Sequence, residues 1–128
     1  MFASDVEIEE QLEKYTGSYN DDRCSLLELI RFLGKHPYTR YSRAAIVLAF
    51  RHQGVFVERG LKYLVANGIA TLESENKINL YSLTSCEEIR NWVLHLVKLD
   101  WCQWQSVLKE IRQEQECYIL GLEKAREN

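Results

Sequence analysis

The chain has 128 residues, 46% of them hydrophobic, and a formal net charge of −3. That length suits one compact domain, or a small domain with an appended helix, and the apolar content excludes a disordered chain. The longest apolar run, Ala44–Phe50, is far short of the ~20 residues that a membrane helix needs. The acidic N-terminus carries no signal-peptide pattern.

Ser4-Asp5-Val6-Glu7 is a capping-box pattern. Ile8, Leu12 and Tyr15 then recur at helical spacing, which predicts a short helix over 5–15. Gly17–Asp22 is a polar loop. Ser25-Leu26-Leu27-Glu28 can cap a second helix whose apolar side carries Leu26, Leu29, Ile30 and Leu33. Gly34 and His36-Pro37 are expected to stop it. Ser42 is a suitable N-cap for a third helix, Ala44 to Phe50. That helix is apolar nearly all round, which predicts a buried position.

Gln53-Gly54 reads as a turn, and a fourth helix follows from Phe56 to Asn67, closed by Gly68 in a left-handed cap. At 100° per residue, Val57, Leu61, Leu64, Val65 and Gly68 fall on one side of it. Arg59, Lys62, Tyr63 and Ala66 fall opposite. One side anchors in a core; the other offers a bidentate donor, a cation, an aromatic and a small residue, the set that reads base edges. Ile69–Leu72 and Lys77–Leu83 lean towards strand, with Ser74-Glu75-Asn76 as turn material.

Ser85-Cys86-Glu87-Glu88 can cap a last helical pattern that runs to about Lys124. Within it Trp104, Leu108, Ile111, Gln115, Tyr118 and Leu122 are spaced as in a coiled-coil seam, which marks Trp104, Leu108, Ile111, Tyr118 and Leu122 as candidate dimer contacts. Unbroken, this helix would be ~60 Å long. Asp100 falls on its apolar stripe. Either the helix bends near Leu99–Trp101 into a pair, or Asp100 sets the register; the bend is preferred.

Charge is unevenly spread. Arg31 to Ser82 holds eight basic residues against three acidic ones, whereas 1–30 holds eight acids against Lys14 and Arg23. A basic middle between acidic ends is what a DNA-docking module with dimer-forming ends would carry; scattered helix-face charge is the plainer alternative. Arg40, Arg43 and Arg51 add candidate phosphate contacts.

The order helix, helix, turn, helix, hairpin, with the phrase LKYLVANGIATLESENKINLYSLT, resembles the winged helix-turn-helix transcriptional regulators of the PadR, ArsR and MarR type over roughly residues 25–84. The glycine usual in PadR proteins after the Tyr-x-Leu-Thr phrase is replaced by Ser85, so the subfamily stays open. The resemblance implies a dimer on a pseudo-palindromic operator, with half-sites about one helical turn apart. It gives a base-reading role to Arg59, Lys62 and Tyr63 and a phosphate role to the wing at Asn76 and Lys77.

The expected architecture is mainly α with a small β-hairpin. Residues 1–22 make an N-terminal helix and loop, 23–84 a winged-helix domain, and 85–128 a helical dimerisation arm. The expected function is a dimeric regulator that binds double-stranded DNA in the cytoplasm. The alternative is a winged-helix adaptor that binds protein and not DNA. A small apolar effector held by Trp92, Trp101, Trp104 and Tyr118 is a further possibility, although such a stripe is more often dimer core.

Cysteines at 24, 86, 102 and 117 lack C-x-x-C spacing, and His36, His52 and His95 are scattered, so no metal or other cofactor is expected. The cysteines read as buried packing, with Cys102 or Cys117 across a dimer interface as a minor alternative. No phosphate loop, nucleophile elbow or H-E-x-x-H motif occurs, so no enzyme activity is expected.

Overall fold

The computed structural model describes residues 4–19, 22–50 and 54–113. The elements in chain order are α1 (Ser4–Thr16), α2 (Arg23–Lys35), β1 (Tyr41–Ser42), α3 (Arg43–Phe50), α4 (Gly54–Ala66), β2 (Ala70–Glu75), β3 (Ile78–Leu83) and α5 (Glu87–Val97). A further helix, α6, covers 101–113. The mainly α architecture with a small hairpin is the one expected. The chain divides into two units, with the boundary after Val97. The first unit therefore takes in α5, which its sequence had grouped with the C-terminal arm.

The helix starts follow from side-chain oxygens. Asp22 caps α2, its carboxylate accepting from the Cys24 N–H at 3.0 Å. That start lies upstream of the Ser25 expected to do this, and Ser25 instead donates its hydroxyl to Asp22. Ser42 caps α3 as expected, accepting from the Ala45 N–H. Ahead of α5, Thr84 Oγ1 accepts from the Cys86 N–H and tightens the turn that leads into the helix, whose first turn closes with Arg90 donating to the Cys86 carbonyl.

α2 is buried on most of its surface: Leu26, Leu27, Leu29, Ile30 and Leu33 are all closed to solvent. α5 lies against it and supplies Trp92, Val93 and Leu96. α2 ends at Lys35 with His36 as its C-cap, where Gly34 and His36-Pro37 are expected to stop it. Gly34, its penultimate residue, is also a packing position, where a Cβ would fall 2.6 Å from Val93 Cγ1 and 2.7 Å from Val97 Cγ2. The glycine is there because α5 comes too close for any side chain.

α1 joins the same unit through Tyr15, whose ring centroid lies 4.7 Å from that of Trp92. Lys14 meets the Glu88 carboxylate at 3.3 Å, which raises the lysine pKa. The buried Arg23 donates to Thr16 Oγ1.

α4 packs its Val57, Gly60, Leu61 and Leu64 inward. Its C-terminus is a Schellman motif. Gly68, at φ +74°, donates to the Val65 carbonyl, and Ile69 donates to the Leu64 carbonyl. Leu64 and Ile69 are fully buried, which anchors the hairpin that follows.

The sheet order is β1-β3-β2, all antiparallel. Its third strand, β1, is two residues long and pairs Tyr41 with Tyr81, too short to leave a period in the sequence. β2 runs on to Glu75, past the expected Leu72, β3 begins at Ile78, one residue later than expected, and their register closes on Glu75↔Ile78.

α3 departs most from its sequence. Among its residues Ile46 alone is buried, and Leu48 is 77% exposed. An eight-residue helix with a continuous apolar run has no polar face to turn outward, so alanines and a leucine meet solvent.

The second unit is described through α6. Asp100 Oδ1 accepts from the Gln103 N–H at 2.8 Å, while Gln103 Oε1 accepts from the Asp100 N–H at 2.9 Å. This reciprocal pair is a capping box. It starts a new helix at Asp100, so the long pattern is a helix pair and Asp100 is its cap. Trp104, Leu108 and Ile111 share one side of α6; Tyr118 and Leu122 lie outside the described residues.

Cys24 is buried as expected, but Cys86 and Cys102 are exposed. The first precedes α5 and the second lies in the first turn of α6, where the new helix start places it on a solvent-facing side. Cys117 lies outside the described residues.

Replacing Gly34 with Ala is expected to lower unfolding stability by about 1–3 kcal/mol. It does so although Ala favours an isolated helix by ~1 kcal/mol, because the β-branched Val93 and Val97 are stiff neighbours. Urea denaturation checks this; an unchanged midpoint would remove the close approach as a constraint.

Candidate nucleic-acid interface

The inward set on α4 fixes what its other side presents. Val55, Glu58, Arg59, Lys62 and Ala66 are exposed. Arg59 and Lys62 therefore stand on the outer face, one turn apart, where the periodicity put them. Tyr63 does not stand with them. Its hydroxyl donates to the Tyr15 carbonyl at 3.1 Å and lies 2.9 Å from Ser18 Oγ, and its ring meets Tyr19 edge-on at 4.9 Å. At 100° from Lys62 it sits on the shoulder of the helix, and α1 and the following loop capture it. The 3.6-residue period leaves such a flank position open to either side; only the tertiary neighbour decides.

The hairpin after α4 ends in a two-residue loop. Asn76 has φ +53° and Lys77 φ +67°. Two positive values between antiparallel strands make a type I′ turn, the geometry that matches strand twist. Asparagine is at home there. Lysine is not: left-handed backbone costs an ordinary L residue roughly 1–2 kcal/mol, and glycine is the usual occupant. Both residues are exposed. Lys77 is thus held at the tip of the hairpin, in the turn itself and not in the strand where its sequence had put it.

The remaining candidates are partly neutralised. Arg40 Nη1 lies 3.3 Å from Glu73 and 3.0 Å from Glu75, two carboxylates on the same face of β2. Arg43 Nη1 lies 3.7 Å from Glu58 of α4. Arg51 is outside the described residues. Lys62 and Lys77 make no ion pair among the described residues.

No family model matches the chain, and no curated protein matches it. Solved structures do. A possible transcriptional regulator from Methanosarcina mazei Go1 is 16% identical, with 94% of this chain and 89% of that one covered at a TM-score of 0.52. HlyU from Vibrio cholerae N16961 is 18% identical over 79% of this chain and 99% of its own, at 0.52. A mutant of MepR from a multidrug-resistant S. aureus clinical isolate is 11% identical over 94% and 90%, at 0.51.

The fold is a winged helix-turn-helix. In winged-helix terms α3 and α4 are the helix-turn-helix pair and β2–β3 is the wing.

Sequence reasoning missed two features of this winged helix. One is the set of carboxylates, Glu58, Glu73 and Glu75, that hold its arginines. Their strand positions, two apart on β2, were the available signal. The other is the apolar outer surface of the pair, Leu48 of α3 with Val55, which is 61% exposed, at the start of α4.

Of the four aromatic residues offered as a possible effector wall, Trp92 is buried against Tyr15, Trp104 is buried on α6, Trp101 is 71% exposed, and Tyr118 lies outside the described residues. His95 and Cys102 stand on different helices. No group of three or more metal-ligating side chains occurs among the described residues, and no helix there is long and apolar enough to cross a membrane.

Replacing Lys77 with Gly is expected to raise the wing's stability by about 0.5–1 kcal/mol, the left-handed cost of lysine less the entropic cost of glycine. A thermal-melt series checks it; a lower melting temperature would show that the lysine side chain itself holds the turn.

Proposed function

We propose that the protein is a transcriptional regulator that docks on double-stranded DNA as a homodimer in the cytoplasm. The observation that carries this reading is the outer face of α4. It presents Arg59 and Lys62 to solvent while Val57, Gly60, Leu61 and Leu64 hold the helix on the core. Arg59 reads a base edge or a phosphate, Lys62 adds a phosphate contact, and Val55 near the helix start suits a thymine methyl. Lys77 and Asn76 meet the backbone across the next groove. A residue kept in an unfavourable turn conformation points to a role for its side chain.

Arg40 and Arg43 take part by exchanging carboxylates for phosphates. Each exchange leaves a glutamate close to the DNA, which weakens docking on any sequence. The protein on this reading is a poor non-specific binder, and its affinity rests on contacts to the right bases. The support for dimerisation through the C-terminal segment is the coiled-coil spacing of Trp104, Leu108 and Ile111 on α6, continued in the sequence by Tyr118 and Leu122; the first three are already buried within the single chain, so a dimer seam there would have to exchange those contacts.

One observation favours a second reading, an adaptor for another protein. Leu48 on α3 and Val55 at the start of α4 leave large apolar side chains exposed on the helix pair, and exposed apolar surface is what protein partners cover.

Fluorescence anisotropy with mixed-sequence duplex at low and moderate salt separates the two. Binding at micromolar concentration or tighter that falls steeply with salt is expected. Arg59→Ala should weaken binding to a selected site by ~1–3 kcal/mol. No binding at low salt from a confirmed dimer would leave the adaptor reading.

The double replacement Glu73→Gln with Glu75→Gln should strengthen non-specific binding and steepen its salt dependence, because Arg40 then meets phosphate without two competing carboxylates. An unchanged salt slope would take Arg40 and the wing strand out of the DNA contact.

A further inference from the structure

A cavity of about 140 Å³ lies behind α4, on the side opposite its exposed cations. Leu29 of α2, Phe50 of α3, and Phe56 and Val57 of α4 give it apolar walls, and Ser25 and Glu28 of α2 give it a polar edge. Gly60 lines it as well. A Cβ there would fall 2.8 Å from Leu29 Cδ2, so α4 and α2 are already in close contact beside this space. An apolar cavity of about 150 Å³ is large enough to take a benzene ring.

Tyr19 joins that edge, its phenol oxygen 3.9 Å from where a Gly60 Cβ would stand, and the acceptors on the edge come from α2. Ser25 donates its hydroxyl proton to Asp22 at 2.9 Å, which leaves only its lone pairs to a ligand. Glu28 is exposed and makes no hydrogen bond or ion pair among the described residues. The Asp22 carboxylate, held by Cys24 and Ser25, adds a second negative charge next to that edge. Among the described residues no lysine, arginine or histidine lines the cavity. An edge with the Glu28 carboxylate and a committed serine hydroxyl, backed by the Asp22 carboxylate one hydrogen bond away, suits a group that brings protons and positive charge, and disfavours an anion.

We propose that this cavity binds a small molecule with a single ring and a primary ammonium group, and that its occupancy shifts α4. The ring would fill the space among Leu29, Phe50 and Phe56, and the ammonium would donate to Glu28 and Ser25. Val57 and Gly60 carry the effect, since they line the cavity on one side of the helix whose other side bears Arg59 and Lys62. A ligand moves such an equilibrium only by its differential affinity for the two helix positions. The regulatory meaning of that shift rests on the proposed DNA reading; the binding and the shift themselves do not.

The test uses the full chain without DNA, titrated with 2-phenylethylamine and with phenylacetate while amide resonances are followed. The amine is expected to bind saturably and at least about tenfold more tightly than the acid, a difference readily separated in dissociation constant. Amide shifts should appear on α2 and α4, Arg59 and Lys62 included. Glu28→Gln, at an exposed position, should keep the fold by circular dichroism and lose most of the preference for the amine.

Equal binding of amine and acid, or no saturable shift up to about 10 mM amine, would overturn the site. Binding without a shift at Arg59 and Lys62 would overturn the coupling. Duplex anisotropy with and without the amine then reads the regulatory outcome, with an expected change of about fivefold in affinity. A chain that fails to bind duplex in the absence of amine refutes the DNA reading and leaves the amine result standing.

Discussion

The structure depends on how closely its helices approach α2. Two glycines set that distance. Gly34 lets α5 lie against α2 where Val93 and Val97 leave no room for a Cβ, and Gly60 brings α4 down onto Leu29. Close approach does more than add contact area. A helix held at van der Waals distance by a glycine resists rolling towards its neighbour, and moves only as the side chain beside it gives. The resting rotation of α4 is therefore set from the inside, and the exposure of Arg59 and Lys62 is its consequence. The Schellman motif at Gly68 carries the same constraint forward, because Ile69 is buried beside Leu64 and points the chain into β2.

The electrostatics of the outer face qualify any account based on charge counts. The middle of the chain is basic, yet three of its acids lie where they hold its cations: Glu73 and Glu75 on Arg40, and Glu58 on Arg43. Exposed pairs of this kind add little to stability, typically well under 1 kcal/mol. Their effect is to lower the positive potential that a distant polyanion feels. A surface arranged this way forfeits long-range attraction and relies on contacts made after docking, which is a route to selectivity rather than to affinity.

Much of this was legible in the sequence because the physical rules involved are local. The 3.6 period gave the inward side of α4, an Asn-Gly pair gave its left-handed cap, and a serine gave the start of α3. The gaps and misreadings share a different cause. Gly34 looks like a helix stop because glycine is a poor helix former, and only the position of α5 shows that it is also a packing residue. Tyr63 sits at a flank where periodicity is neutral, and α1 decides its side. The apolar α3 looks like a core helix, but burial depends on what surrounds a helix, and a short element at the rim of the unit has neighbours on one side only. The bend expected near Leu99–Trp101 is present, and Asp100 with the glutamine three residues on supplies its cap, a pattern visible in the sequence once aspartate is admitted beside serine and threonine as the capping residue.

The wing shows how a local cost separates two kinds of explanation. A hairpin selected for stability alone would carry glycine second in its type I′ turn. This one carries lysine, which must hold a left-handed backbone while its ammonium stands in solvent and makes no ion pair among the described residues. Nothing in the folded unit recovers that cost. On the proposed DNA reading, that cost is met by a contact outside the chain, between the lysine at the tip of a narrow two-residue turn and a phosphate in a groove. The exposed Leu48 and Val55 argue the other way, but apolar side chains also meet thymine methyl groups in a major groove, so both side chains are compatible with either partner. Lys77, with the cost of its turn, is the stronger support for the proposed DNA reading.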